Sequence, residues 1–136
     1  GGYYRGSDEL SSIASLIVHE VRTNPGAIFQ VNTLGGAIQS GPESAYPHRD
    51  YPFLGEVQTY WEPGEYAKRE ALLESSERIR EAIAGAGISN HYRNYPSLKF
   101  DNWHEAYYGK EYQRLQKLKR RLDPENVIRH RQSVAV

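Results

Sequence analysis

Phe53-Leu54-Gly55-Glu56-Val57-Gln58-Thr59-Tyr60-Trp61 is the stretch that decides the architecture. Side chains along an extended backbone alternate between two faces, so Glu56, Gln58 and Tyr60 project one way and Gly55, Val57 and Thr59 the other. This alternation makes it the strongest strand signal in the chain, and Pro63-Gly64 ends it.

Working outward, residues 65–84 read as a long amphipathic helix. Leu72, Ser76, Ile79 and Ile83 form one stripe, Lys68, Arg69, Glu74, Glu77 and Arg80 lie mostly outside it, and Gly85 and Gly87 follow as terminators. Upstream, residues 27–33 read as a second strand with Phe29 and Val31 on one face, and Leu34-Gly35-Gly36-Ala37-Ile38 bends into a further short extended piece. Before it, Ser7 is placed to cap a helix with Asp8 and Glu9 in its first turn and Leu10, Ile13, Ala14 and Ile17 at helical spacing, stopped by Asn24-Pro25-Gly26. After the long helix come a short segment over 90–95, helices near 101–108 and 110–122, and a one-turn element capped by Asp123 with Pro124 at its first position. The order predicts an α+β fold, an antiparallel sheet covered on one side by helices.

The chain has 136 residues, enough for one core but few for a fold that encloses a dinucleotide. Lys plus Arg equals Asp plus Glu at 17 each, so no net field draws it toward nucleic acid or an anionic membrane. No run approaches 18 apolar residues, so no membrane partner is expected. With no cysteine, disulfides and thiolate chemistry are excluded within these residues, and the compartment stays open: a soluble protein, cytoplasmic or secreted. The first residues, Gly1-Gly2-Tyr3-Tyr4, include no initiator methionine. No His, Asp and Glu set has metal-ligand spacing, and no glycine-rich phosphate loop follows a strand.

The second half carries an ordered series: Tyr92-Arg93-Asn94-Tyr95, Trp103, Tyr107-Tyr108-Gly109, Arg114-Leu115, Asp123-Pro124-Glu125-Asn126-Val127 and Gln132-Ser133. It resembles the C-terminal region of the FAD-linked oxidases related to berberine bridge enzyme, within the vanillyl-alcohol oxidase type of flavoprotein, and Ala45-Tyr46-Pro47-His48-Arg49 extends the likeness upstream. The resemblance implies a C-terminal fragment of a two-lobed oxidase. Residues 1–88 would be the last part of the substrate-binding α+β lobe and residues 89–136 a helical berberine-bridge-like segment returning to the FAD-binding lobe. The implied cofactor is FAD. The implied partners are the N-terminal FAD-binding part of the same protein, a small-molecule substrate and molecular oxygen. The implied reaction moves hydride from a hydroxylated, alkaloid, polyketide or sugar-like substrate to flavin N5, then electrons to oxygen, giving hydrogen peroxide. The alternatives are a dehydrogenase of the same fold with another electron acceptor, and a non-catalytic module that has lost flavin.

Site residues follow from the same likeness. Tyr95 takes the place of a general base, a role that by chemistry needs a tyrosine pKa lowered by a nearby cation or hydrogen-bond donor. Glu56 is the second catalytic candidate, on the strand that lies over the flavin in relatives. Asn94 and Tyr92 are the flavin-contacting pair. Gln58 and Tyr60, on the face of Glu56, and His48 and Arg49 are candidates for substrate contact. His48 and Arg49 read equally well as a loop-anchoring pair, Glu56 as a solvent-facing strand residue, and Tyr95 as a packed tyrosine among the 11 of the chain. Trp103, Tyr107 and Tyr108 share a helical stripe and read as core or lobe interface, and Lys117, Lys119, Arg120 and Arg121 as a solvated helix face.

Overall fold

A computed structural model describes residues 1–42 and 44–136. Strands β1 (Tyr3–Tyr4), β2 (Ala27–Thr33) and β3 (Phe53–Thr59) form an antiparallel sheet in the order β1-β3-β2. β3 is the central strand. It pairs Tyr3 with Leu54 on one side, and on the other runs in register with β2 from Ala27 opposite Thr59 to Thr33 opposite Phe53.

Helices α1 (Ser7–Thr23) and α3 (Tyr66–Gly85) cover one face of the sheet. Ile13 and Ile17 of α1 and Ile79 and Ile83 of α3 bury against Tyr4, with Phe29, Phe53 and Val57 packed beneath them. Burial of each such aliphatic side chain contributes roughly 1.5–3 kcal/mol. Gly55 is required here: a Cβ would come 2.7 Å from a Tyr4 ring carbon and 2.8 Å from Phe29 Cζ, so the rings occupy the volume a side chain would need. An ion pair with its carboxylate end buried and its guanidinium half-exposed locks the two helices together. Glu20, 4% exposed, accepts from Arg78 at 2.6 and 2.9 Å and from the Asn24 amide at 3.1 Å. The Arg78 guanidinium outweighs the desolvation and holds the Glu20 carboxyl down at about 2.

Three local expectations are corrected. Ser7 is the first helical residue rather than the cap. Gly6 takes the cap position, and the Glu9 carboxylate reaches back past it to accept from the Arg5 N–H at 2.6 Å. Residues after Gly36 are not extended. Gly36, at φ 53°, turns the chain into the one-turn helix α2 (Ala37–Ser40), whose Gln39 and Ser40 amides both donate to the Gly36 carbonyl. Asp123 caps, but no helix follows. Its carboxylate accepts from the Val127 and Ile128 amides at 2.7 and 3.0 Å and pairs with Lys119, while the left-handed Asn126, at φ 52°, breaks any helical path. On α3 the fully buried serine is Ser75, with Ser76 half-buried.

The remainder is α4 (Trp103–Tyr108), a 3₁₀ turn (Gly109–Glu111) and α5 (Tyr112–Leu122). Tyr107 is buried, and Trp103 meets Tyr108 and Tyr112 edge-on, so the aromatic series is packing material, as its stripe suggested. Gly2 bridges to His91, and the Tyr3 amide donates to the Asn90 carbonyl at 2.9 Å, which joins the start of the chain to the segment before α4. No helix among the described residues is long and apolar enough to cross a membrane.

Candidate functional site

The face of β3 turned away from the helices carries Leu54, Glu56 and Gln58. The register places Asn32, Gln30 and Ile28 of β2 beside them on the same face. Leu54 is buried under a cluster of tyrosines in which Tyr3 and Tyr51 pack with Tyr46, Tyr92 and Tyr95. Glu56 and Gln58 are half-buried, and Tyr60, just past the strand, is 58% exposed.

The loop bearing Tyr92, Asn94 and Tyr95 is pinned from several directions. The His91 amide donates to the Ala106 carbonyl at 2.9 Å, and the Ser97 amide donates to the Tyr107 hydroxyl at 2.9 Å. Arg93 Nε donates to the Tyr108 hydroxyl at 2.8 Å, and Gln132 Nε2 donates to the Ser97 carbonyl at 2.8 Å. The Tyr-Tyr-Gly and Gln-Ser pieces of the tail therefore hold this loop in place. Within it, Asn94 Nδ2 donates to the Tyr92 hydroxyl at 2.8 Å, and Tyr92 and Tyr95 meet edge-on with ring centres 5.0 Å apart.

Glu56 and Tyr95, far apart in sequence, are brought together. Both line an open cavity of about 350 Å³ that Asn94 also borders, and the Glu56 carboxylate is near enough to the Tyr95 hydroxyl to act on its ionisation. The sequence expectation of a lowered tyrosine pKa is reversed. Partial desolvation and the Glu56 carboxylate both favour the protonated phenol, so the Tyr95 pKa is pushed up. Tyr95 also borders a second open cavity of about 550 Å³, together with Tyr92 and Arg49.

The remaining candidates are placed as follows. Gln58 accepts from the Tyr60 hydroxyl at 2.8 Å, and both lie farther along the open face, outside the two cavities. His48 is 3% exposed, its ring 4.3 Å from the Tyr3 ring, with Nε2 at 3.2 Å from the Tyr107 carbonyl. Burial pushes its pKa down, which favours the neutral imidazole, and it holds the Tyr3 ring against α4. Arg49 gathers its own loop by donating to the Ile38 and Pro42 carbonyls and to Ser44 Oγ, while it also borders the second cavity. His91 is buried against Phe100, and its pKa falls to about 4 chiefly through desolvation, which leaves it neutral at ordinary pH.

Sequence reading overlooked Tyr3, whose hydroxyl accepts from Tyr46 at 3.0 Å and whose ring is the hub of the tyrosine cluster. A two-residue strand carries no periodicity, so no pattern could have marked it. It also overlooked Asn32 and Leu34, which border the second cavity from β2 and the turn after it.

Residues 91–135 match the family described as berberine and berberine like. The chain is 32% identical over 130 residues to the uncharacterized FAD-linked oxidoreductase YvdP of Bacillus subtilis, and 30% identical over 127 residues to YgaK of the same organism. These alignments cover 94% and 92% of this chain but 28% and 27% of those relatives, so the chain spans little more than a quarter of their length. Its fold superposes on berberine bridge enzyme from Eschscholzia californica with a TM-score of 0.79 at 22% identity, over 91% of this chain and 30% of that one. The structure of FgChi7B gives 0.69 at 22% identity, over 88% of this chain and 29% of that one. The chain is homologous to the C-terminal portion of berberine bridge enzyme-like FAD-linked oxidoreductases and spans only that part of their length.

Proposed function

We propose that this chain forms the substrate-side wall of an FAD-dependent oxidoreductase, with Tyr95 and Glu56 as the pair that removes the substrate's proton. The observation that carries this is that Tyr95 and Glu56 line the same open cavity, with the carboxylate near enough to disfavour ionisation of the phenol, while Tyr95 also borders the second cavity. A phenol with a raised pKa is a poor base alone. Beside a carboxylate it becomes a relay: the Tyr95 oxygen accepts the proton of a substrate hydroxyl while its own proton passes to Glu56. The phenol then starts and ends neutral, which suits a group whose ionisation is disfavoured.

The donor set suits the ring end of FAD. The exposed Asn94 amide and the Tyr92 hydroxyl are joined to each other on the rim of the site, a pair able to match the alternating donors and acceptors of an isoalloxazine edge. No glycine-rich phosphate cradle is present among the described residues, so the pyrophosphate would be held by the FAD-binding part that precedes this region in relatives. When bound, the flavin supplies the hydride acceptor at N5 and, with oxygen as electron acceptor, yields hydrogen peroxide. In this reading residues 1–88 complete the substrate lobe and residues 89–136 return to the flavin lobe.

Anaerobic stopped-flow reduction of the intact protein tests the pair. Tyr95→Phe keeps the ring and its packing, so the flavin spectrum should persist while reduction by substrate slows by roughly 10²–10⁴-fold. Glu56→Gln should slow the same step. Parental rates in both variants would remove the pair from the chemistry. Peroxide yield on reoxidation separates an oxidase from a dehydrogenase.

A further inference from the structure

The second cavity bears a chemical character that the proton relay does not explain. Its walls are aromatic, from Tyr3, Tyr46, Tyr92 and Tyr95, and its charged lining residue is Arg49. The guanidinium donates only to neutral acceptors, the carbonyls of Ile38 and Pro42 and the hydroxyl of Ser44, and its Nε is buried without a hydrogen-bond partner. None of the ion pairs among the described residues includes Arg49. Among the described residues its positive charge is thus held beside the cavity by dipoles and by the Tyr46 ring, 5.6 Å from the guanidinium carbon, rather than cancelled by a carboxylate, and a partly desolvated cation in that state favours an anion nearby.

The neutral groups point the same way. The Tyr92 hydroxyl accepts from Asn94, which leaves its own O–H to donate, and the Tyr3 hydroxyl is in the same position toward Tyr46. Asn32 Oδ1 is occupied by the Gln30 amide at 2.9 Å, which leaves the Asn32 N–H groups as the free end of that side chain. The cavity therefore offers donors, a cation and ring faces, with Tyr95 at its border.

Resting on the reading of Tyr95 as the proton-handling residue, we infer that this cavity selects an anionic aromatic substrate. Such a molecule is a flat ring system carrying a carboxylate, with the charged end toward Arg49 and the hydroxyl to be oxidised toward Tyr95. Ring stacking against tyrosines supplies affinity, and the guanidinium supplies orientation and rejects protonated amines.

The test uses the intact protein and a matched set of probes, 2-naphthoate, 2-naphthamide and protonated 2-naphthylmethylamine, with dissociation constants from calorimetry. Naphthoate should bind at least about tenfold more tightly than the amide, with the amine weakest. Arg49→Gln should erase the preference for naphthoate while leaving amide binding close to parental. Because Arg49 also gathers its loop, Arg49→Lys is the companion variant. It keeps the charge and should keep the order of the probes even where the loop loosens. Equal binding of all probes by the parent protein, or tightest binding of the amine, would overturn the inference whatever the variants do. The two proposals fail separately. Slow reduction in Tyr95→Phe with no naphthoate preference sinks only this one, and naphthoate preference in a protein whose reduction ignores Tyr95 sinks only the relay.

Discussion

The two faces of the sheet are built from alternate residues of the same strand and do opposite work. On the helix side, Phe53, Gly55 and Val57 meet Tyr4, Phe29 and the isoleucines of α1 and α3 in a core where even a glycine cannot gain a methyl group. On the other side, Leu54 and Glu56 meet tyrosines whose hydroxyls bond mainly to one another and to amides, beside one open cavity, while the other opens at the sheet edge where Glu56 and Tyr95 face Ser76, Glu77 and Arg80 of α3. The first face is filled and apolar, and the second is polar, aromatic and unfilled. Stability is therefore expected to depend on the first and ligand chemistry on the second.

The widest separation should come from comparing Ile79→Ala with Tyr95→Phe. Ile79 is fully buried, and truncating it leaves a cavity that costs roughly 2–5 kcal/mol of stability, read as a lower denaturation midpoint, with the rate of flavin reduction preserved in the folded fraction. Tyr95→Phe should do the reverse. Should Ile79→Ala alter the reduction rate of folded protein as strongly as it alters the midpoint, the two faces are not independent.

A smaller effect belongs to Glu20. Removing its carboxylate with Glu20→Ala should cost roughly 1–3 kcal/mol, reduced by the access of water to Arg78. Its pKa in the fold, about 2, lies below the ordinary 4.5, so this contribution is present above pH 4.5 and is lost as pH falls from there toward 2. Denaturation midpoints measured across that range should drop in the parent and drop less in Glu20→Gln. Identical slopes would show that the pair does not couple to folding.

The smallest effect tests the loop on the open face. Gln132→Ala removes the bond to the Ser97 carbonyl and should cost about 1 kcal/mol, while hydrogen exchange of the amides over residues 92–97 quickens more than that of the core. Unchanged exchange in this loop would mean that the tail does not support it.

The parts of the fold legible in the sequence were those with a period. Alternation placed Glu56 and Gln58 on one face, and the 3.6-residue spacing found Ile79 and Ile83. Elements shorter than a period escaped: Tyr3–Tyr4 offered no pattern, and α2 was hidden behind a glycine pair that fits a bend as well as a helix start. In the site, Tyr95 and Glu56 were found by resemblance and by strand parity, but their contact was not legible, because 39 residues and the whole of α3 separate them. The sign of the tyrosine's pKa shift followed from its partial desolvation, to which the carboxylate adds in the same direction. For His48, burial against Tyr3 and α4 was decided by the return of the tail, which nothing in Pro47-His48-Arg49 announces.

The pinning of the Tyr92–Tyr95 loop has a consequence in time. His91 is held by the carbonyl of Gly1, 90 residues away, and Ser97 by Gln132, 35 residues further on, so the loop takes its shape only when distant stretches of chain have met. Closing such large rings costs entropy before any contact repays it. The helix-covered core is built from residues up to Ile88 alone, so it can assemble before the tail arrives. The proton-handling pair is thus expected to form late in folding, and a chain halted before residue 132 would hold its core without a working site.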